Sequence, residues 1–392
     1  MVAPDTRSVV DWLTDGARSA PEPGQVLAEI CTRLTACGIP LWRVAVFVQT
    51  LHPDTVGRRF LWRPGAPVEI STLSYAGLAS EEFFQSPVKR VYDTGAAIRR
   101  RVCDPGCPDD FPILAEFRAE GITDYLASPL VFTDGAVQVV TNTTRQPGGF
   151  TDGEIAGLEA IMAPLARVTE IRSIRRLIGN LLDTYVGHHA GERILAGRIR
   201  RGDTEAIDAA IWLSDMRRFT TLADHLPPAL LIGLLNRYFD CQVPAILQQG
   251  GQVLKFMGDG LLAIFPLDGG APEEVCAHAL AAALTARDEV RALSESHGIA
   301  GMGDLRFGLA LHLGEVLYGN IGGGNRLDFT CIGPAVNLTA RLEKLAGRLG
   351  RTILASADFA ARCGPGLVPV GEFTLAGVAA AQTVFGRADE AG

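Results

Sequence analysis

Residues 253 to 265 read VLKFMGDGLLAIF, two apolar runs of strand length joined by Gly258, Asp259 and Gly260. The Gly-Asp-Gly tip predicts a hairpin, because glycine reaches positive φ without strain and aspartate tolerates turn geometry. Strict alternation along the first run puts Val253, Lys255 and Met257 on one face, and Leu254, Phe256 and Gly258 on the other. A lysine in the middle of an apolar strand is costly to desolvate. The surrounding sequence has to supply its reason.

Upstream, AIDAAIWLS (206–214) predicts a buried strand that ends at Asp215, and a helical region follows over 221–249, interrupted by Pro227 and Pro228. Downstream come an alanine-rich helix near 272–295 and the strand RFGLALHL (306–313). The order β-α-β-β-α-β is that of the ferredoxin-like split unit, here with further strands and a helix appended, so the fold class is α+β. The two central strands of such a unit lie side by side, which brings Asp215 and Asp259 to one rim of the sheet. Two hard carboxylates there suit Mg²⁺, which takes one or two protein oxygens and leaves the rest to water and phosphate. Taken singly, Asp259 also reads as a turn residue, and Asp215, ahead of Met-Arg-Arg-Phe-Thr, as a helix cap. Further on, DFTCIGPAVNLTARLE (328–343) enters a helix at Pro334, and Asn337 and Arg341 share one of its faces. Arg341 there either grips a phosphate with its fork of donors or pairs with Glu343 or another surface acid.

The N-terminal half alternates helix and strand patterns. QVLAEICTRLTACG (25–38) has helical spacing, WRVAVFVQT (42–50) and GRRFLWRPG (57–65) read as strands, and YLASPLVFTDGAVQVVTNT (125–143) as a hairpin around Asp134 and Gly135. From Leu158 an apolar stripe runs through Ile161, Leu165, Val168, Ile171, Ile174, Ile178, Leu181 and Tyr185. It is either a heptad-like seam between two copies or a face buried on its own domain. Pro164 marks a kink or the helix's first turn. The arginines at 172, 175 and 176, and at 198, 200 and 201, read as solvated faces, with an acidic partner as the second reading. His188 and His189 read as polar helix surface, since neighbours diverge around a helix.

Composition narrows the class. A chain of 392 residues with 47% hydrophobic content supports two domains, and a net charge of −8 argues against general affinity for nucleic acid. The longest apolar runs fall short of the roughly 18 to 20 residues that span a bilayer, and the first twenty residues lack a signal-peptide pattern. The expectation is a soluble, cytoplasmic protein. The eight cysteines do not form a disulfide framework. Cys103 and Cys107, close across a turn, are a redox switch, half of a metal site, or incidental loop thiols.

Taken together, AIWLSDMRRFTTLAD, LNRYF, GGQVLKFMGDGLLAIF, RFGLALHLGEVLYGNIG and DFTCIGPAVNLTARLE resemble the catalytic domain of class III adenylyl/guanylyl cyclases, over residues 207 to about 385. GNIGGGN (319–325) lacks the Lys-Ser/Thr ending of a phosphate loop and reads as a hairpin connection. Over 25–150 the order of elements resembles a GAF domain, ending in PGGFTDGEIAGLEAIMAPLA. The expected organisation is an N-terminal segment 1–24, a GAF-like regulatory domain 25–150, a helical linker or coupling element 151–204 that includes TYVGHHAGERILAG, and a cyclase domain 205–392.

The resemblance implies adenylyl cyclase activity, ATP to 3′,5′-cyclic AMP and pyrophosphate, with two Mg²⁺ or Mn²⁺ ions per site. Asp215, Asp259 and the backbone of Met216 match the metal ligands, and Phe219 and Thr220 the phosphate-facing turn. Lys255 and Thr330 match the purine-reading pair, Asn337 the ribose-orienting residue and Arg341 the transition-state arginine. Metal carboxylates and purine readers of the family act from opposite subunits, so a head-to-tail homodimer is implied. The resemblance supplies a reason for Lys255: it reads a ring nitrogen of adenine. Three positions depart from the pattern: Arg218, where glycine is frequent; Ala376, where a phosphate-binding lysine is common; and Thr330, a weaker acceptor than the aspartate of many members. The alternatives are a cyclase-like pseudoenzyme that binds nucleotide as a signalling module, and a cyclase that prefers GTP. A diguanylate cyclase is excluded by the missing Gly-Gly-Asp/Glu-Glu-Phe signature. The regulatory input, a small molecule or a redox signal, is not readable.

Overall fold

The computed structural model describes residues 4–50, 55–296, 305–324, 326–378 and 380–390. The chain divides into two compact units, Met1–Leu181 and Leu182–Gly392.

The first unit is built on six antiparallel strands, β1 (Arg43–Gln49), β2 (Thr55–Trp62), β3 (Glu69–Ser74), β4 (Ile98–Arg100), β5 (Asp124–Val131) and β6 (Val137–Thr144). They lie in the order β3-β2-β1-β6-β5-β4. Alternation along the strands sorts their side chains into two cores. Val46, Val48, Leu126 and Val140 pack with the helices Arg7–Thr14, Pro23–Ala36 and the start of Asp152–Val186. Phe47, Tyr125, Ala127 and Val139 face the helices Pro87–Thr94 and Ile113–Ala119 instead. The hairpin at Asp134-Gly135 closes with Gly135 at φ +86°.

The apolar stripe of the long helix divides in two. Leu158, Ile161, Leu165 and Val168 are at most 4% exposed, whereas Ile171, Ile174, Ile178, Leu181 and Tyr185 are 40–79% exposed. The reading of a face buried on its own domain therefore holds for the first half of the stripe. Pro164 lies inside the helix Asp152–Val186, so it is not a first-turn residue. Gly187, at φ +84°, ends that helix before a second one at His188–Leu195. His188 is exposed, with Nδ1 3.2 Å from Asp183 Oδ1. All eight cysteines are unbridged, Cys103 exposed and Cys107 half-buried. Among the described residues no helix is long and apolar enough to cross a membrane.

The second unit carries β7 (Thr204–Met216), β8 (Gln252–Met257), β9 (Gly260–Pro266), β10 (Phe307–Gly323), β11 (Arg326–Ile332), β12 (Ile353–Ser356), β13 (Val368–Phe373) and β14 (Gln382–Gly386). The order is β13-β14-β12-β10-β7-β9-β8, with β11 paired to β10. Only β10 and β12 run parallel among these pairs. Ala210 and Trp212 of β7 pack beneath the helices Pro228–Asp240, Val243–Gln248 and Pro272–Ser296, and Ala209 and Ile211 point to the opposite face. On that second face the helix Pro334–Leu349 buries Leu342, Leu345 and Ala346 against Ala310 and Leu354. The connection after β10 is closed by Gly324 at φ +59°; Asn325 lies outside the described residues.

Candidate active site

Strand β7 is central, and its C-terminal end is flanked by glycines. Asp215 is registered against Gly260 of β9 and Gly308 of β10. A Cβ added to Gly260 would come within 3.2 Å of Asp215 Oδ1, so the absent side chain leaves room for the carboxylate. Asp259 enters from the two-residue turn between β8 and β9, where Met257 pairs with Gly260 and Gly258 takes φ +70°. A glycine at the first central position is what a tight hairpin of this kind requires. The structure thus brings Asp215 and Asp259 together, close enough for their side chains to interact directly. Burial, the charge of Asp259 and then that of Glu343 push the Asp215 carboxyl up to about 7. Arg217, which opposes this rise, is already bonded to Glu343.

Two half-buried carboxylates in contact form a site short of positive charge, and their hard oxygens are the donors that Mg²⁺ or Mn²⁺ takes. Among the described residues no group of three or more His, Cys, Asp or Glu forms a full protein cage. A site completed by substrate phosphates does not need one. Met216, expected to lend its backbone, is buried as the last residue of β7.

The sequence reading missed the ion pair behind these carboxylates. Arg217 Nη1 donates to Glu343 Oε1 at 2.6 Å, and Nη2 donates to the Glu343 carbonyl oxygen at 3.2 Å. The guanidinium fills the space that side chains at two glycines would take: a Cβ would stand 1.4 Å from Nη2 at Gly308 and 2.8 Å from Nη1 at Gly347. The signal lay in Gly308 and Gly347 themselves, but only their convergence on Arg217 gives it meaning. Through this pair the helix Pro334–Leu349 is fastened to the segment after β7. Glu343 is consequently not available to Arg341, which corrects the ion-pair reading of that arginine. Among the described residues Arg341 has no carboxylate partner; its Nη2 lies 3.1 Å from where a Cβ on Gly377 would be, beside Ala376. Asn337, one turn earlier, is exposed.

The alternation expected around Lys255 is overturned. Val253 pairs with Ala263 and Lys255 with Leu262, so Leu254 is an extra residue in the strand, a bulge. Val253 packs toward the core that holds Ala263, whereas Lys255 is registered with Leu262 in the core on the other face. The lysine's charge opposes the effect of burial on Cys331, a thiol pushed up to about 11. Lys255 of β8 thus acts on Cys331 of β11, whereas Thr330, one residue earlier in that strand, alternates to the other face. Thr330 is 3% exposed and its Oγ1 has no hydrogen-bond partner. Lys255 is half-buried, and its chain neighbours Phe256 and Met257 are 53% and 43% exposed.

Phe219 and Thr220 open the short helix Phe219–His225 directly after β7. Arg218 precedes it in the left-handed region at φ +63°. A non-glycine residue there is strained, which gives the glycine of the resembled pattern a physical reason.

Residues 204–361 match the family described as the adenylate and guanylate cyclase catalytic domain. The chain is 28% identical over 152 residues to Adenylate cyclase 1 of Rhizobium meliloti, covering 38% of this chain and 22% of that protein. It is 32% identical over 145 residues to an adenylate cyclase of Anabaena cylindrica, covering 37% of this chain and 28% of that one. It therefore spans less than a third of these curated relatives. Among solved structures it is similar to the adenylyl cyclase CyaB from P. aeruginosa, at 25% identity and a TM-score of 0.43, covering 47% of this chain and 94% of that one. The second unit thus contains a catalytic domain of the adenylate/guanylate cyclase type.

Two stability measurements check this geometry. Arg217→Gln strands the buried Glu343 carboxylate and is expected to cost about 3 kcal/mol in urea unfolding, with Arg217→Met plus Glu343→Leu recovering most of the loss. Arg218→Gly relieves the left-handed strain and is expected to gain about 1 kcal/mol; a loss instead would show that the arginine side chain, not the turn, holds this segment.

Proposed function

We propose that the second unit, as a head-to-tail homodimer, converts ATP to 3′,5′-cyclic AMP and pyrophosphate, and that the first unit is a GAF-like regulatory domain. The observation that carries the reading is the contact between Asp215 and Asp259, inside the stretch that matches the cyclase family. Asp215, Asp259 and the Met216 backbone would hold two Mg²⁺ or Mn²⁺ ions, whose chemistry is to neutralise phosphate charge and favour ionisation of the nucleophilic hydroxyl.

The chain's own residues do the remainder. The 3′-hydroxyl oxygen attacks the α-phosphorus in line and gives up its proton to water, the ring closes, and the bond to the departing pyrophosphate breaks. Arg341, free of a carboxylate partner, directs its donors at the charge that builds on the transferred phosphoryl group. Asn337, on the same helix face, orients the ribose. Phe219 and Thr220 lie along the triphosphate, with Ala376 contributing no charge. Lys255 donates to the ring nitrogen N1 of adenine, and guanine, protonated at N1, would meet donor with donor. Thr330 accepts from the adenine amino group. Its buried, unpartnered hydroxyl costs roughly 1–3 kcal/mol, a cost that such a contact would remove.

Each chain holds one set of metal residues and one of purine-reading residues, and each site takes one set from either copy. The exposure of Phe256 and Met257 beside Lys255 supports a partner surface there. The competing reading, a preference for GTP, draws on the weaker acceptor at Thr330. The location proposed is the cytoplasm.

Turnover of ATP and GTP with Mn²⁺ tests the proposal. ATP is the expected substrate, Asp259→Ala abolishes activity, and Arg341→Ala lowers it on the order of 10²-fold or more. Mixing the two inactive variants should restore activity, because one site of the mixed dimer is then intact; no restoration would sink the shared-site arrangement. In thermal melts, Mn²⁺ should stabilise the wild type, while Asp259→Asn should melt higher without metal, its like-charge repulsion removed, and lose the Mn²⁺ increment.

A further inference from the structure

The first unit has a pocket of about 660 Å³, open on one side, between its sheet and two helices. Leu27 and Ile30 of the helix Pro23–Ala36, Val48 of β1, Phe60 of β2, and Leu165 and Val168 of the helix Asp152–Val186 form its apolar wall. All six are less than a tenth exposed. Packed interiors hold few voids larger than a water molecule, whereas small-molecule pockets span roughly 300–1,000 Å³. The void is of ligand size.

Three arginines line the same cavity: Arg58 from β2, and Arg172 and Arg176 one turn apart on the long helix. Among the described residues Asp134 is the single acid lining it, and its Oδ1 is engaged by the Ala136 backbone N–H at 2.9 Å. Arg172 is held by neutral acceptors, donating through Nη1 to the Pro21 carbonyl and through Nη2 to the Ala17 carbonyl at 3.2 Å. None of the three has a carboxylate within salt-bridge distance among the described residues. Burial, then the charge of Arg176, pulls the Arg58 guanidinium below its usual range. Burial and Arg175 do the same to Arg172, against the opposing charge of Glu22. A solvated face, the plainer sequence reading of these arginines, describes the exposed Arg175 and Arg176 but not Arg172, which is half-buried. Gathering cations over an apolar wall costs free energy that an anion at the same spot would return.

We propose that this cavity binds a carboxylate with an apolar body, its head on Arg58 and Arg176 and its tail against Phe60 and Val168. The planar guanidinium fork matches a carboxylate, and the apolar wall gives the tail its affinity. This goes beyond the cyclase reading and does not depend on it.

The test is calorimetric titration of the full chain with octanoate, dodecanoate and phenylbutyrate, each beside its neutral alcohol. At least one acid should bind, about tenfold or more tighter than its alcohol. Arg58→Gln and Arg176→Gln should each weaken that acid by about tenfold, while the unliganded melting temperature holds or rises because a repelling charge is gone. Ser173→Trp, which crowds the cavity from its helix wall and leaves all three arginines in place, should abolish binding. The proposal is overturned if no acid binds, if alcohols bind as tightly, if the arginine variants bind normally, or if inorganic phosphate competes as well as the acids do.

Discussion

The carboxylates of Asp215 and Asp259 repel each other and are partly withdrawn from water, and the second unit holds them in contact nonetheless. It does so with backbone rather than with compensating charge. The end of β7 is pinned between β9 and β10, and the tight Gly258-Asp259 turn leaves Asp259 little freedom to swing away. Burial first, and then this repulsion, raise the Asp215 carboxyl to about 7. A cation bound there would convert this repulsion into an attraction.

The cations of this unit are distributed in keeping with that constraint. Arg217 lies nearest and would quench the site if it faced the pair, but the clefts at Gly308 and Gly347 draw it toward Glu343. One ion pair therefore holds a cation back from the carboxylates and fastens the helix that carries Asn337 and Arg341.

Much of this was legible in the residues. The β8–β9 hairpin, the helices around Pro228 and Pro334 and the strand ending at Asp215 follow from local turn chemistry and periodicity, because those signals are short-ranged. The bulge at Leu254 was not legible. It is fixed by the pairing of β8 with β9, and a one-residue slip moves a side chain to the other face of a sheet. The stripe on the long helix shows the same limit. Its spacing is uniform from Leu158 to Tyr185, yet burial along it stops after Val168. Periodicity says which face is apolar and not what lies against it.

From its sequence alone this chain determined which segments are strands and helices, which residue types sit at each turn, and which motifs carry carboxylate, lysine, asparagine and arginine in order. Those are properties of residues near one another in the chain. The tertiary structure decided that Arg217 pairs with Glu343, that Lys255 comes to the face of Cys331, and that Arg58, Arg172 and Arg176 meet at one cavity. Such outcomes depend on distances between residues remote in sequence. Charge and burial act through space, and space is settled only when the sheets pack.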